Sequence, residues 1–352
     1  MRGMKTLTDR RRATITTALT GAIALLAAGC GGAAHAMPGK PKPTQPAAAI
    51  AITPGNGAKD VKPNDAVTVT ATRGTLRSVT LQAGSGSVTG SYNSGNTMWQ
   101  NTWDLAPGST YTVTAVAAGK SGKPVTTKAT FHTLSAQNTF TTQIFEAQGG
   151  TYGVGMPIML NFSQPIPDNY KAAVERAMVV KTSTPVVGAW FWDGNQTLAF
   201  RPKDYWPAGT QVSLDAHLTG VEGAPGTYAT SDLTQSFNIG DSVIAYVSPA
   251  SHRAQIYKNG HEVYNWPIST GQPGDDTPDG NFLTIDKGNP VEMKPADIPK
   301  GAPGYYDVQV YNSVRFTWSG DYMHAAPWSV GSQGSSNVSH GCVNLPPYAA
   351  AI

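Results

Sequence analysis

Leu105-Ala106-Pro107-Gly108-Ser109-Thr110-Tyr111-Thr112-Val113 returns further along the chain as Trp206-Pro207-Ala208-Gly209-Thr210-Gln211-Val212, a faint repeat with a period of roughly one hundred residues. Each copy runs from an apolar residue through a Pro/Gly turn into alternating apolar and polar positions. That alternation is the signature of a half-buried β-strand. Val67-Thr68-Val69-Thr70 and Tyr111-Thr112-Val113-Thr114 alternate cleanly, and Gly84-Ser85-Gly86 and Gly119-Lys120-Ser121-Gly122 supply further turns. After each copy comes a Phe-centred strand, around Phe131 and then Phe237, and aromatics recur mid-unit as Trp99 and Trp103, then Trp190, Phe191 and Trp192. Helical periodicity is nearly absent; Tyr170–Met178 has room for two turns.

Composition agrees. Charged residues are 13% of the chain, with 38 Gly and 26 Pro, a turn-rich rather than helical balance. The fold class is therefore mainly β, and the spacing fits two immunoglobulin-like sandwiches over 50–135 and 136–240. Neither has the cysteines of an antibody-type disulfide, so packing alone must hold each core. On a strand Trp190 and Trp192 share one face and Phe191 takes the other, which favours core or inter-domain packing over a carbohydrate platform. No cluster of titratable groups marks these modules, so their expected work is spacing and positioning.

The formal net charge is +3, but Arg2, Lys5, Arg10, Arg11 and Arg12 precede residue 30 with only Asp9 against them; the remainder holds 20 basic and 21 acidic residues. Nucleic acid is not an expected partner. The basic start and the uncharged Ala13–Gly29 run read as an export signal over 1–30, too short to span a bilayer. It closes on Ala27-Ala28-Gly29-Cys30, which resembles the lipobox of bacterial lipoproteins and implies lipidation of Cys30. A signal cleaved nearby without lipidation is the alternative. Residues 31–49, with Pro38, Pro41, Pro43 and Pro46, read as a flexible Pro/Gly/Ala linker.

A third, β-rich segment spans 241–352. Val243–Val247 is a strong strand, and Gln255–Lys258 is expected to pair with Val263–Trp266 across the Asn259-Gly260 turn. Val308–Tyr311, Val314–Phe316 and Tyr322–His324 read as further strands. Pro290–Gly304, with four prolines and two glycines, reads as a long excursion and a candidate lid. Near the end lies Ser339-His340-Gly341-Cys342-Val343-Asn344, with His324 upstream. Cys342 is one of two cysteines in the chain and the only one outside the expected signal. A thiol needs a base or a positive neighbour to attack at neutral pH, and His340 and His324 are at hand. Gly341 would let backbone N–H groups approach a reacting carbonyl as an oxyanion hole, and the Asn344 amide can orient its neighbours. A buried cysteine that only packs, and a zinc site lacking an evident fourth ligand, remain beside the nucleophile reading.

His324, fourteen intervening residues, and then Ser339–Asn344 resemble the signature of the L,D-transpeptidase (YkuD-type) catalytic domain. Ala325–Val330, Gly334 and the order of lipobox, two immunoglobulin-like modules and catalytic domain resemble its actinobacterial lipoprotein members. The resemblance implies Cys342 as nucleophile, His324 as base oriented by the Ala325 carbonyl, and Gly341 and Cys342 N–H groups with the Tyr306 hydroxyl as oxyanion site. His340 and Asn344 are implied to shape the loop and substrate, and Tyr306, Ser339 and Ala325 to lie on the substrate side. The implied reaction joins peptidoglycan stem peptides. Cys342 attacks the third-residue carbonyl of a donor tetrapeptide, D-Ala leaves, and an acceptor amine resolves the thioester into a 3→3 cross-link. Acylation by carbapenems is implied too, with no metal or cofactor. The partners implied are stem peptides and, through the lipid anchor, the membrane, for a monomer facing the cell wall. Water in place of the amine would make the site an L,D-carboxypeptidase; a non-catalytic envelope spacer is the remaining reading. Eight residues, 345–352, follow Asn344, so the catalytic segment is expected to be C-terminally short of the family pattern.

Overall fold

The structure is a computed structural model that describes residues 47–352 apart from 121 and 296–297. The expected signal, Cys30 and nearly all of the 31–49 linker lie outside the described residues.

The first module is two facing four-stranded sheets. One orders Ala49–Thr53, Thr68–Thr72, Met98–Asn101 and Gly90–Tyr92; the other orders Gly86–Val88, Gly74–Ala83, Thr110–Gly119 and Pro124–His132. Alternation decides the faces. Tyr111, Val113, Ala115 and Ala117 are buried while the residues between them are half-buried. The second module repeats the plan, with Thr142–Ile144, Ile158–Phe162, Thr197–Pro202 and Gly188–Asp193 against Thr151–Tyr152, Leu233–Ile239, Gln211–Ala216 and Met178–Thr182. Its helix, Asp168–Arg176, buries Val174.

The sequence echo is a structural equivalence. Leu105 and Trp206 are each 1% exposed. Gly108 and Gly209 follow them at φ +63° and +76°, a left-handed turn that glycine adopts without strain. Tyr111 then pairs with Phe131, and Val212 with Phe237. The Trp cluster divides as strand geometry requires. Trp190 packs edge-on to Phe200 with centroids 5.2 Å apart, Trp192 stacks on Phe162 at 5.4 Å, and Phe191 faces outward. The modules meet where Trp103 stacks on His217, centroids 4.0 Å apart.

In the third segment Val243–Ser248, Arg253–Lys258 and His261–Pro267 form a meander. Lys258 pairs with His261, so Asn259-Gly260 is a two-residue turn with φ +49° and +83°, the left-handed pair that Asn-Gly favours. A second, five-stranded sheet holds Asp286–Gly288, Val291–Met293, Val308–Arg315, Tyr322–Ala325 and Val343–Leu345. Two expectations are amended here. The Pro290–Gly304 excursion starts as a strand, since Val291–Met293 pairs with Val308–Val310. The two strands expected over Val308–Phe316 are one, Val308–Arg315, with a register shift at Asn312-Ser313 where Asn312 has φ +53°. A bulge absorbs a residue without ending the ladder, and so the alternation breaks in the sequence but not in the sheet.

Candidate active site

Two adjacent strands carry the chemistry. Tyr322–Ala325, the histidine strand, pairs in parallel with Val343–Leu345, the cysteine strand, with Met323 opposite Val343 and His324 opposite Asn344. Met323 and Val343 turn into the small core with Ala254, Ile268, Leu345 and Ala349. Side chains alternate between faces, which puts His324, Asn344 and Cys342 together on the other face.

His324 is buried, and its Nδ1 lies 2.9 Å from the Ala325 carbonyl oxygen. A carbonyl only accepts, so Nδ1 carries the proton and Nε2 keeps its lone pair. Burial lowers the His324 pKa below the ordinary histidine value, against a smaller opposite effect from the bond to Ala325. The imidazole is thus held neutral and aimed, with Trp328 tilted beside it at 5.9 Å between centroids. Burial pushes the Cys342 thiol up to about 11; the backbone of Tyr322, hydrogen-bonded to the sulfur, works the other way, and Asp321 raises it further. Cys342 is half-buried and unpaired.

Gly341 has φ +117°, which a residue with a side chain rarely adopts, and its missing β-carbon would sit 2.5 Å from Asp321 Oδ1. Its N–H donates to Ser339 Oγ at 3.3 Å. Ser339 Oγ in turn donates to the Cys342 carbonyl at 2.6 Å. His340 is exposed, and Tyr306 stacks on it with centroids 5.1 Å apart. Burial first, and then the charges of Cys342, Asp275 and Asp321, raise the Tyr306 pKa, so the phenol keeps its proton near the sulfur.

Three of the expected residues are buried. Ser339 is 6% exposed and ties the cysteine loop to itself, so it does not face substrate. Ala325 is also buried, and its carbonyl holds His324, the orienting contact that the resemblance implied. Asn344 is 3% exposed and donates to Ser329 Oγ at 3.1 Å, so it shapes the 327–333 turn, the loop-holding role that the resemblance implied. The structure thus brings Tyr306 beside His340 and near Cys342, places His324 on the strand paired with the cysteine strand, and buries Ser339, Ala325 and Asn344.

Sequence reading missed the groups that brace the loop. Ser269–Gln272 runs alongside it: Ser269 exchanges backbone bonds with Asn344 at 3.1 and 2.8 Å, Ser339 N–H donates to the Thr270 carbonyl, and Gln272 N–H donates to the Ser339 carbonyl. Thr277 Oγ donates to the Gly341 carbonyl at 2.7 Å and accepts from Gly271 N–H. Nothing local in the sequence points to this strap, since its partners lie about seventy residues away. Among the described residues no three His, Cys, Asp or Glu side chains are grouped as metal ligands.

Residues 242–352 match the family model described as the L,D-transpeptidase catalytic domain, and residues 58–222 match the bacterial Ig domain. The chain is 33% identical over 308 residues to L,D-transpeptidase 5 of Mycobacterium tuberculosis, covering 85% of this chain and 67% of that protein. It is 30% identical over 347 residues to L,D-transpeptidase 2 of the same species, covering 96% and 84%. Among solved structures, the LD transpeptidase LdtMt1 in complex with imipenem superposes with a TM-score of 0.51 and 36% identity, over 59% of this chain and 90% of that one. L,D-transpeptidase 3 of M. tuberculosis in complex with a faropenem-derived adduct gives 0.50 and 29% over the same shares.

Proposed function

Because this chain belongs to the L,D-transpeptidase family, we propose that it cross-links peptidoglycan through a thioester on Cys342. The observation that carries the mechanism is the Nδ1 bond from His324 to the Ala325 carbonyl. It leaves Nε2 as the proton acceptor on the face that carries Cys342.

With the thiol raised to about 11 and His324 lowered, the resting pair is neutral. The proton therefore moves to His324 as the sulfur attacks, which is general base catalysis rather than a standing ion pair. The sulfur adds to the carbonyl of the donor's third residue. Negative charge develops on the carbonyl oxygen, stabilised by the Gly341 and Cys342 N–H groups and the protonated Tyr306 hydroxyl. His324 then returns its proton to the nitrogen of the departing D-Ala. The side-chain amine of an acceptor's third residue resolves the thioester, giving a 3→3 cross-link. No step calls for a metal or cofactor.

The imipenem and faropenem complexes of the relatives support covalent capture by such drugs. Intact mass after incubation with a carbapenem tests the nucleophile: one adduct is expected on the wild type and none on Cys342→Ala, and labelling that persisted would unseat Cys342. Muropeptide products test the transfer. Dimers are expected, whereas tripeptide alone would make the enzyme a carboxypeptidase. For localisation, the resemblance of Ala27–Cys30 to a lipobox supports a lipid-anchored protein facing the wall, with Cys30→Ala releasing it from membranes; an unchanged distribution would favour simple secretion.

A further inference from the structure

Asp321 is an odd neighbour for a thiol nucleophile. It ends the turn that leads into the histidine strand, and its Oδ1 lies against Gly341, where a β-carbon would stand 2.5 Å away. The carboxylate is fixed from the far side. Oδ2 accepts from Thr317 Oγ at 2.6 Å and from Ser319 Oγ at 3.1 Å, and the Asp321 N–H donates to Thr317 Oγ at 2.8 Å. None of those donors reaches Oδ1.

No cation offsets it. Among the described residues no ion pair includes Asp321. Arg315 is six residues earlier but is turned away, with Nε and Nη2 donating to the Thr317 and Trp318 carbonyls at 2.8 and 2.6 Å. A fixed, unpaired negative charge here opposes the negative charge that gathers on the sulfur, and it acts on both Cys342 and Tyr306. Asp275, whose Oδ2 is held by Gln272 Nε2 at 2.8 Å, acts on Tyr306 as well. A carboxylate braced at Oδ2, with Oδ1 left without a hydrogen-bond donor beside the cysteine loop, is matched to a cationic partner.

We propose that Asp321 is the positioning residue for the acceptor, binding its cationic side-chain amine at Oδ1 beside the Cys342 thioester. The inference rests on the acyl-enzyme reading above. A primary alkylamine is protonated at neutral pH, so the acceptor arrives as an ammonium and is matched to a carboxylate. Once D-Ala has left, His324 is neutral again and takes one proton from the ammonium. The freed nitrogen lone pair forms the C–N bond and the C–S bond breaks. The sulfur leaves as thiolate and recovers the proton held by His324, while the new amide nitrogen loses its surplus proton to solvent. The balance is ammonium plus thioester giving amide, thiol and one proton.

The full chain is compared with Asp321→Asn and Asp321→Glu in two assays: adduct formation with a carbapenem by intact mass, and dimer yield against acceptor concentration. Hydroxylamine, a nucleophile uncharged at neutral pH, serves as the second resolving agent. For Asp321→Asn the expected results are faster acylation, an acceptor KM raised about 10-fold, and a thioester that hydroxylamine still resolves as in the wild type. Asp321→Glu recovers part of the acceptor KM. A wild-type acceptor KM in Asp321→Asn, or an equal loss with hydroxylamine, overturns the proposal. If Asp321→Asn fails to fold, Thr317→Val, which frees Oδ2 but keeps the charge, takes its place: a raised acceptor KM supports the assignment and an unchanged one ends it. No adduct on the wild type would defeat the acyl-enzyme reading itself, whereas an adduct without change in acceptor selectivity defeats only the role of Asp321.

Discussion

The second sandwich and the catalytic segment are both β-sheet, yet they are held by different forces. The sandwich closes over twenty buried apolar residues, among them Trp206, Phe140, Phe237 and Leu214. The cluster under the active site has five, and they are small or aliphatic: Ala254, Ile268, Val343, Leu345 and Ala349. The buried polar groups run the other way. Ser269, Thr270, Ser313, Thr317, His324, Ser329, Ser339 and Asn344 are all in the catalytic segment. Hydrophobic burial is strong but undirected, whereas hydrogen bonds add little net stability and fix direction. The sandwich rests on the first, and the catalytic segment, where the Ala325 carbonyl holds His324 Nδ1, uses the second.

That contrast can be broken at its sharpest point by His324→Ala. Acylation by a carbapenem should slow by about 10²–10⁴-fold, the usual share of a general base, with thermal unfolding little changed. His340→Ala, which loses only the stack with Tyr306, should cost far less; equal losses would move the base to His340. On the sandwich side, Trp206→Ala should lower stability by about 3–5 kcal/mol in denaturant unfolding, because the ring is 1% exposed and its Nε1–H donates to the Met156 carbonyl. Carbapenem labelling of the folded fraction should persist.

A pH titration sharpens the comparison further. Glu146 in the sandwich is 2% exposed, with Oε1 accepting from Met159 N–H and Oε2 without a partner. Burial pushes its pKa up to about 7. The folded state therefore holds this proton more tightly than the unfolded chain does. Its stability is full below the ordinary glutamate range and falls as pH rises toward 7, by about 3 kcal/mol at most. Glu146→Gln should flatten that slope in urea melts; an unchanged slope would place the titration elsewhere. The smallest effect is expected from Asn344→Ala, about 1 kcal/mol for one hydrogen bond lost, because Ser329 Oγ keeps Gln333 Nε2 as a donor at 3.2 Å. It is read as a small loss of stability in urea melts.

How much was legible in the sequence follows the same division. The sandwiches could be read because alternation is a local property of a strand, and the two Pro/Gly turns proved to be equivalent corners, each followed by the same cross-strand pairing. The hairpin at Asn259-Gly260 was legible for a similar reason, since its turn chemistry lies in two adjacent residues. The bulge at Asn312 was not, because only the partner strand reveals that Val308–Arg315 continues through it. Ser339 and Asn344 sat in a motif that points at substrate, yet both serve the loop behind it. Motif membership records that a residue matters, and only its hydrogen-bond partner says to what.

By itself the sequence determined a mainly β chain, because strand periodicity is written within a few residues. The neighbours of Cys342 left nucleophile, packing and zinc readings open, and the spacing of His324 and Ser339–Asn344 is what resembles the L,D-transpeptidase signature. The tertiary structure alone decided which histidine nitrogen is free, that the Ser269–Gln272 strap and Thr277 brace the cysteine loop, and that Asp321 stands against Gly341. Those contacts join segments far apart in the chain. Their directions depend on hydrogen bonds that exist only once the parallel pairing of the histidine and cysteine strands has formed.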